Sequence, residues 1–208
     1  HYIAKQLSIE LPVVLASYMD RKATRLDHCG EIKTVFDYKD LGGIWGYRLT
    51  RWLYDQAWYG NERPSVMFER CTLWLISRKV LLPGISTLTV LIAKVRDRVS
   101  KRLWQRLTLL VDINQRQQLE NLLLVPDGKR YSKLDELKNG PTHISSAGLV
   151  QALRRYQYIR DLGLGQINIG NIPKAKINHL ARYVTVSWAP SIARMPDDRR
   201  IAVLFSFA

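Results

Sequence analysis

The dipeptide Pro83-Gly84 is the sequence feature that most constrains this fold, because it places a tight corner between two helical patterns. Pro64-Ser65 suits the start of the first helix, since proline lacks an amide donor that would be unused there and serine can bond an exposed amide. Proline and glycine cannot continue that helix, so a helix over Val66–Arg78 ends before the corner. This first helix is apolar almost all round and is expected to be buried. Ser86 is the predicted cap of the second helix.

The second helix is predicted to have two chemically different faces. Its apolar residues recur at helical spacing and form one stripe that suits a protein core, namely Leu88, Leu91, Ile92, Val95 and Val99. A different side of the same cylinder carries polar residues at steps of seven, four and three, namely Thr87, Lys94, Arg98 and Lys101. One face for the core and one for phosphates or base edges is the arrangement that a DNA-recognition helix needs.

Several short blocks in this chain resemble, in order and spacing, the N-terminal region of the large replicative transposases of Tn-three-type bacterial transposons. The blocks are Thr24-Arg25 with His28, Arg63-Pro64-Ser65, the run from Arg78 to Gly84, Arg96-Asp97-Arg98, Leu103-Trp104, Leu119-Glu120, Gly140-Pro141-Thr142 and Ile159-Arg160. The resemblance implies a multi-helical region that binds the terminal inverted repeats of the element. It also implies a separate RNase-H-like catalytic domain with an acidic metal-binding triad, and nothing in this chain matches that part.

The charge of the chain independently favours a polyanionic partner. The formal net charge is +14, from 32 Lys and Arg against 18 Asp and Glu. Residues 1–42 hold 6 basic and 6 acidic groups, residues 43–111 hold 12 and 4, and residues 112–208 hold 14 and 8, which gives 0, +8 and +6. A basic excess concentrated around the two-helix unit is the electrostatic signature of nucleic-acid binding. The +6 of the last part predicts a second contact region.

The remaining pattern is also helical and predicts an all-α, multi-helical fold with helix-turn-helix-like DNA-binding units. Further helices are predicted over Pro12–Asp20, Thr24–Phe36, Ile44–Tyr59, Lys101–Leu110, Ile113–Leu123 and Ser145 or Ser146 to Leu162, with two more opening at Pro173 and Pro196. The helix ending at Leu162 is expected to bury Leu149, Leu153, Tyr156 and Ile159. Alternating isoleucines in Gly163–Pro173 predict a short extended or wing-like segment.

Glycine and proline pairs divide the chain into three predicted units. Residues 1–42 form an N-terminal helical segment, residues 43–125 a helix-turn-helix-like DNA-binding domain, and residues 126–208 a second basic helical domain that is truncated at its C-terminus. The apolar run Ile201–Ala208, which lacks a cap, supports the interpretation of the chain as a fragment. The apolar, uncharged stretch of 14 residues between Lys79 and Lys94 is too short to span a bilayer, so no membrane partner is expected.

The sequence offers no recognisable enzyme site. It contains neither a nucleophile-elbow motif nor a zinc-protease motif, and no carboxylates at a spacing that would hold metal ions for phosphoryl transfer. Cys29 and Cys71 lie far apart and fit reduced thiols, so neither a metal site nor any cofactor is predicted. Asp197-Asp198 suits the first turn of a helix that opens at Pro196.

The predicted function is therefore sequence-specific binding of double-stranded DNA at transposon ends, in the bacterial cytoplasm and associated with the nucleoid. Arg25, Arg48, Arg51, Arg78 and Lys79 are predicted mainly to position the duplex. Thr87, Lys94 and Arg98 are predicted to enter a groove with Lys101 beside them, since arginine can meet guanine and a threonine methyl can meet thymine. Three alternatives remain open: a module that pairs with another transposase subunit and binds DNA only nonspecifically, a complete nuclease, and an RNA binder.

Overall fold

The structure, a computed structural model, describes residues 22–140 and 145–208, with the side chains of those ranges except 22–26 and 32. The described residues form ten α-helices and one short 3-10 turn with no β-strand, which confirms the all-α prediction. The helices are α1 (Lys22–Phe36), α2 (Gly43–Tyr59), α3 (Pro64–Ser77), α4 (Ile85–Leu109), α5 (Ile113–Asn121), α6 (Lys133–Lys138), α7 (Ser146–Asp161), α8 (Lys174–Val186), α9 (Ala189–Ala193) and α10 (Asp197–Phe207). The predicted helix Pro12–Asp20 lies outside the described residues.

Helix α4 is the centre of the fold, and it is longer than the sequence predicted. It runs for 25 residues, so the separate helix predicted over Lys101–Leu110 is wrong. No proline or glycine interrupts the stretch, and Leu103 and Leu107 continue the buried stripe for two further turns. The predicted cap at Ser86 is also wrong, because the helix begins at Ile85 with Gly84 as its extended N-cap residue and no side-chain cap bond.

The core is built around the buried flank of α4, which packs against α2, α3 and α10. Helix α10 contributes a continuous buried run over residues 201–205, in which no side chain is more than 6% exposed. The apolar run that supported the interpretation of a fragment is therefore core. The first turn of α10 carries Asp197 and Asp198, as predicted. Arg200 forms ion pairs with Asp197 of the same helix and with Glu120 of α5, both at 2.9 Å.

Two predicted apolar faces are more exposed than the sequence indicated. Helix α3 was expected to be buried almost all round, yet only Met67, Cys71, Trp74 and Leu75 are buried, while Leu73 is 60% exposed. Helix α7 buries no residue at all. Three of the residues predicted to face the core are 53–64% exposed, namely Leu149, Leu153 and Tyr156. Ile159 is the one predicted position of α7 that packs against the core, and it does so partly.

The predicted wing is not an extended segment. Residues 164–166 form the 3-10 turn, and the left-handed backbone of Gly163, with φ of 69°, connects it to α7. Ile172 is buried, and Ile167 and Ile169 pack partly against the core. The alternating isoleucines therefore anchor a loop, a role that a two-residue period alone does not distinguish from a strand.

Several absences hold for residues 22–140 and 145–208. Among these helices none combines the length and the apolar character needed to span a bilayer. The same ranges contain no group of three or more His, Cys, Asp and Glu side chains suited to a metal ion. The domain boundaries at residues 42 and 125 stay predictions, and the buried residues on both sides of residue 125 belong to a single core cluster.

Candidate nucleic-acid interface

Helix α4 has the two faces that the sequence predicted. On its inner flank Leu88, Ile92, Val95 and Val99 are all 5% exposed or less, and Leu91 packs partly against them. On a different side of the helix, roughly 80–140° around from this stripe, Thr87, Lys94, Arg98 and Lys101 are exposed. We call these four residues the outer face of α4. The apolar stripe fixes the rotation of the helix, so the outer face points to solvent when the stripe is packed into the core.

The cations of the outer face differ in their ionic partners. Lys101 pairs with Asp97, one turn earlier on α4, at 2.8 Å, and both side chains are more than half exposed. Within the described residues, Lys94 and Arg98 have no carboxylate within 4.0 Å. Two cations held on a rigid helix without a counter-ion are free to bind a phosphate or a base edge.

Arg48 and Arg78 lie on an aromatic cluster formed by α2 and α3. The Arg48 guanidinium lies 5.0 Å from the Trp45 ring centroid, and the Arg78 guanidinium lies 4.2 Å from that of Trp74. The two tryptophan rings meet edge to face at 6.4 Å. A guanidinium on an aromatic face is oriented without being neutralised, so both side chains keep their charge for an anionic partner. The structure thus brings together two of the predicted positioning residues.

The segment between α3 and α4 is fixed by a short parallel bridge. Lys39 donates its backbone amide to the Lys79 carbonyl at 2.8 Å and accepts from the Leu81 amide at 2.9 Å. Lys79 itself has a φ of 54°, a left-handed conformation that is costly for a residue with a side chain. The connection covers seven residues, 78–84, against the three or four of a typical helix-turn-helix. The helix-turn-helix detail therefore stays a prediction.

The structure says less about the last two predicted positioning residues, Arg51 and Arg25. Arg51 is exposed on α2, and among the described residues it forms no ion pair with Asp55, one turn later on the same helix. Arg25 lies in α1, but its side chain is outside what the structure describes. Neither residue is brought to the outer face of α4 by any described contact.

A shallow depression beside the outer face contains a residue that the sequence reasoning missed. Arg98, Lys101 and Arg102 of α4 line it together with Asp97, Gln105 and, from α2, Tyr54. The Arg102 guanidinium lies 5.9 Å from the Tyr54 ring centroid. The spacing of four between Arg98 and Arg102 was the available signal, since residues one turn apart are neighbours on a helix surface.

Comparison with known proteins identifies the relatives of the chain. Residues 1–95 match a family described as a domain of unknown function, DUF4158. The whole chain is 41% identical to the transposase for transposon gamma-delta of Escherichia coli (strain K12), covering 21% of that protein. It is 27% identical to the transposase for transposon Tn1546 of Enterococcus faecium over 98% of the chain and 20% of the relative. A third relative is the transposase for transposon Tn4556 of Streptomyces fradiae, at 35% identity over 39% of the chain and 9% of the relative.

The chain spans about a fifth of the length of the first two relatives, and the similarity to them extends over nearly all of its own residues. The resemblance found in its short sequence blocks is thereby confirmed. The chain is a region that matches part of these longer Tn-three-type transposases.

Proposed function

We propose that this chain is the DNA-binding region through which a Tn-three-type transposase recognises the terminal inverted repeats of its transposon. The observation that carries the proposal is the outer face of α4, where Lys94 and Arg98 are exposed, have no ion-pair partner among the described residues, and lie on a helix whose apolar stripe is packed in the core. A helix rotated in this way can present its cations to the major groove while its apolar stripe stays packed in the core.

The predicted roles divide by position. Arg48, Arg78 and Lys79 lie near the contact of α2 with α3 and the Lys39–Val80 bridge, and they suit contacts to phosphates that fix the register of the duplex. Lys94 and Arg98 suit base edges or groove phosphates, and Thr87 places a methyl group on the same face for a thymine. Lys101 joins them when DNA phosphate competes with Asp97 for its ammonium group.

The salt dependence of binding follows from these charges. Counting Arg48, Arg51, Arg78, Lys79, Lys94 and Arg98 as phosphate contacts, the logarithm of the affinity falls with the logarithm of salt with a slope of about −5. Affinity then drops by roughly three decades between 50 and 200 mM salt. Contacts from the last part of the chain steepen this slope.

The alternative of a subunit-pairing module loses one of its supports. An apolar C-terminal run would favour such a module if it were exposed, but residues 201–205 are core. Contact with another transposase subunit remains a second proposed role, whose signature is a dimer that forms with rising concentration. The catalytic activity of the full-length relatives is proposed to reside in the part of those proteins that this chain does not match.

A titration with three oligonucleotides tests the proposal: a duplex of the transposon end, a scrambled duplex of the same composition, and the single-stranded end. Fluorescence anisotropy at 50 and 200 mM salt gives both discrimination and salt slope. We expect tighter binding of the end duplex by a factor of at least 10³, the lower range for specific DNA-binding proteins. Equal affinity for the end and the scrambled duplex would reduce the function to nonspecific binding.

A further inference from the structure

A cavity between α4, α8 and α10 is lined by basic side chains from all three helices. Arg96 comes from α4, Lys176 and His179 from α8, and Arg199 from α10. No aspartate or glutamate lines the cavity. It lies on a different side of α4 from the outer face, since Arg96 is two residues from both Lys94 and Arg98, about 200° around the helix from each.

The three permanent cations of this cavity lack carboxylate partners. Within the described residues, Arg96, Lys176 and Arg199 have no carboxylate oxygen within 4.0 Å. Arg96 donates a hydrogen bond to the backbone carbonyl of Glu62 at 2.5 Å, while the Glu62 carboxylate pairs with Arg70 at 2.5 Å. Within the described part of the chain, the positive charge of the cavity therefore has no ion-pair partner.

The surrounding contacts hold two of these cations in place. The Arg199 guanidinium lies 5.3 Å from the Trp104 ring centroid and 5.7 Å from that of Tyr183. Arg96 is fixed by the Glu62 carbonyl and by a contact to the Met67 sulfur at 3.4 Å. Both guanidinium groups are thus oriented by groups that do not neutralise them.

The electrostatic surroundings of Lys176 favour the binding of an anion. Burial and the neighbouring charge of Arg96 lower the pKa of the Lys176 ammonium group. Bringing like charges together in a partly buried space is unfavourable, and an anion placed between them relieves the repulsion. Groups held in such an arrangement occur mostly at functional sites.

We propose that this cavity binds one phosphate group, held by Arg96, Lys176 and Arg199. Its volume of about 190 Å³ is smaller than the roughly 300–1,000 Å³ of pockets for drug-sized ligands, so it suits a phosphate and its waters better than a whole nucleotide. The phosphate comes either from the backbone of bound DNA or from free phosphate. The assignment does not depend on the outer face of α4 binding DNA.

Acylation of lysine with an N-hydroxysuccinimide ester, mapped by mass spectrometry, tests this site. Lys174, exposed two residues before Lys176 on the same helix and outside the cavity, is the internal control. The protein is labelled alone, with inorganic phosphate against chloride at equal ionic strength, and with duplex DNA. We expect phosphate or DNA to slow labelling of Lys176 several-fold and to leave Lys174 unchanged.

Free phosphate and the phosphate of a DNA backbone give different patterns of Lys176 protection. Protection by inorganic phosphate at millimolar concentration or below identifies a free-phosphate site, and protection by the duplex alone identifies a DNA phosphodiester. Labelling of Lys176 that responds to neither, or that changes in step with Lys174, overturns the proposal. In the variant Lys94→Gln/Arg98→Gln, protection by inorganic phosphate persists even where DNA binding is lost, which separates this site from the proposed function.

Variants supply a second measurement. Arg199→Gln is expected to weaken the binding of the protecting ligand about tenfold or more, because a hydrogen bond to a charged group is lost. Lys174→Gln, the matched control, leaves that binding unchanged. Thermal unfolding of each variant without ligand shows whether the fold is kept, and equal ligand affinity of folded Arg199→Gln and wild type contradicts the assignment.

Discussion

Removing both unpaired cations from the outer face of α4 gives the sharpest prediction about the interface. In Lys94→Gln/Arg98→Gln the side chains stay long and polar and the helix propensity hardly changes, so stability shifts by less than about 0.5 kcal/mol. Neither residue has a carboxylate within 4.0 Å in the described residues, so the change leaves no unpaired acid behind. Any loss of binding then reports on DNA contacts and not on folding.

The size of the effect follows from counterion release. Two phosphate contacts fewer reduce the slope of log affinity against log salt by about 1.8. Between 50 and 200 mM salt, the ratio of wild-type to variant affinity therefore shrinks by about tenfold. If Arg98 instead reads a guanine edge, its loss costs about 1–3 kcal/mol of discrimination between the end and the scrambled duplex.

The matched control removes two charges elsewhere on the chain. Arg154→Gln/Arg160→Gln lies on α7, where both side chains are exposed. We expect this variant to weaken end and scrambled duplexes by the same factor, because phosphate contacts carry no sequence information. Anisotropy titrations of both variants with both duplexes are the assay. If the two variants lose discrimination equally, or if neither loses any, the choice of α4 as the recognition helix is wrong.

Four other outcomes are expected. Asp97→Asn frees Lys101 from its 2.8 Å ion pair, so DNA binding should tighten and the salt slope steepen by about 1 in the same titration; an unchanged slope would mean that Lys101 does not reach phosphate. Leu107→Ala, at a side chain that is 0% exposed, should lower the free energy of unfolding by about 2–5 kcal/mol in urea titration. Asp112→Ala removes the capping box of α5 and should cost about 1 kcal/mol in the same titration. Burial raises the pKa of the Cys71 thiol to about 11, so at pH 8 a disulfide reagent should label exposed Cys29 at once and Cys71 only after unfolding. The pKa of the Cys71 thiol is higher in the folded protein than in the unfolded chain. The stability that this protonated thiol contributes is therefore fully present below pH 9.0, the unfolded pKa, and is lost as the pH rises toward about 11.

The features that could be predicted from sequence are those set by local spacing. The orientation of α4 was predictable because Leu88, Val95 and Val99 recur with the period of a helix, and a stripe of that kind has one way to face the core. The acidic first turn of α10 was predictable for the same local reason. The end of α4 was missed because no residue near Val99 marks a boundary, and a continued apolar stripe does not reveal whether one helix or two carries it.

Features set by distant packing could not be predicted. The exposure of Leu149 and Leu153 depends on whether another element covers α7, and the sequence of α7 alone does not contain that information. The cavity that joins Arg96, Lys176 and Arg199 requires three helices separated by up to 103 positions to meet. The aromatic support of Arg48 and Arg78 also depends on α2 and α3 crossing near Trp45 and Trp74.

Directed cleavage of DNA from the outer face of α4 tests the central claim most directly. Gln105 is exposed two turns beyond Arg98 on the same face and carries no charge, so Gln105→Cys in a Cys29→Ser background can hold an iron chelate with every cation intact. Gln118→Cys, exposed on α5, is the control position. The account predicts discrete cuts in the transposon-end duplex from position 105 and weaker, scattered cuts from position 118. Discrete cuts from position 118 with none from position 105 would contradict it.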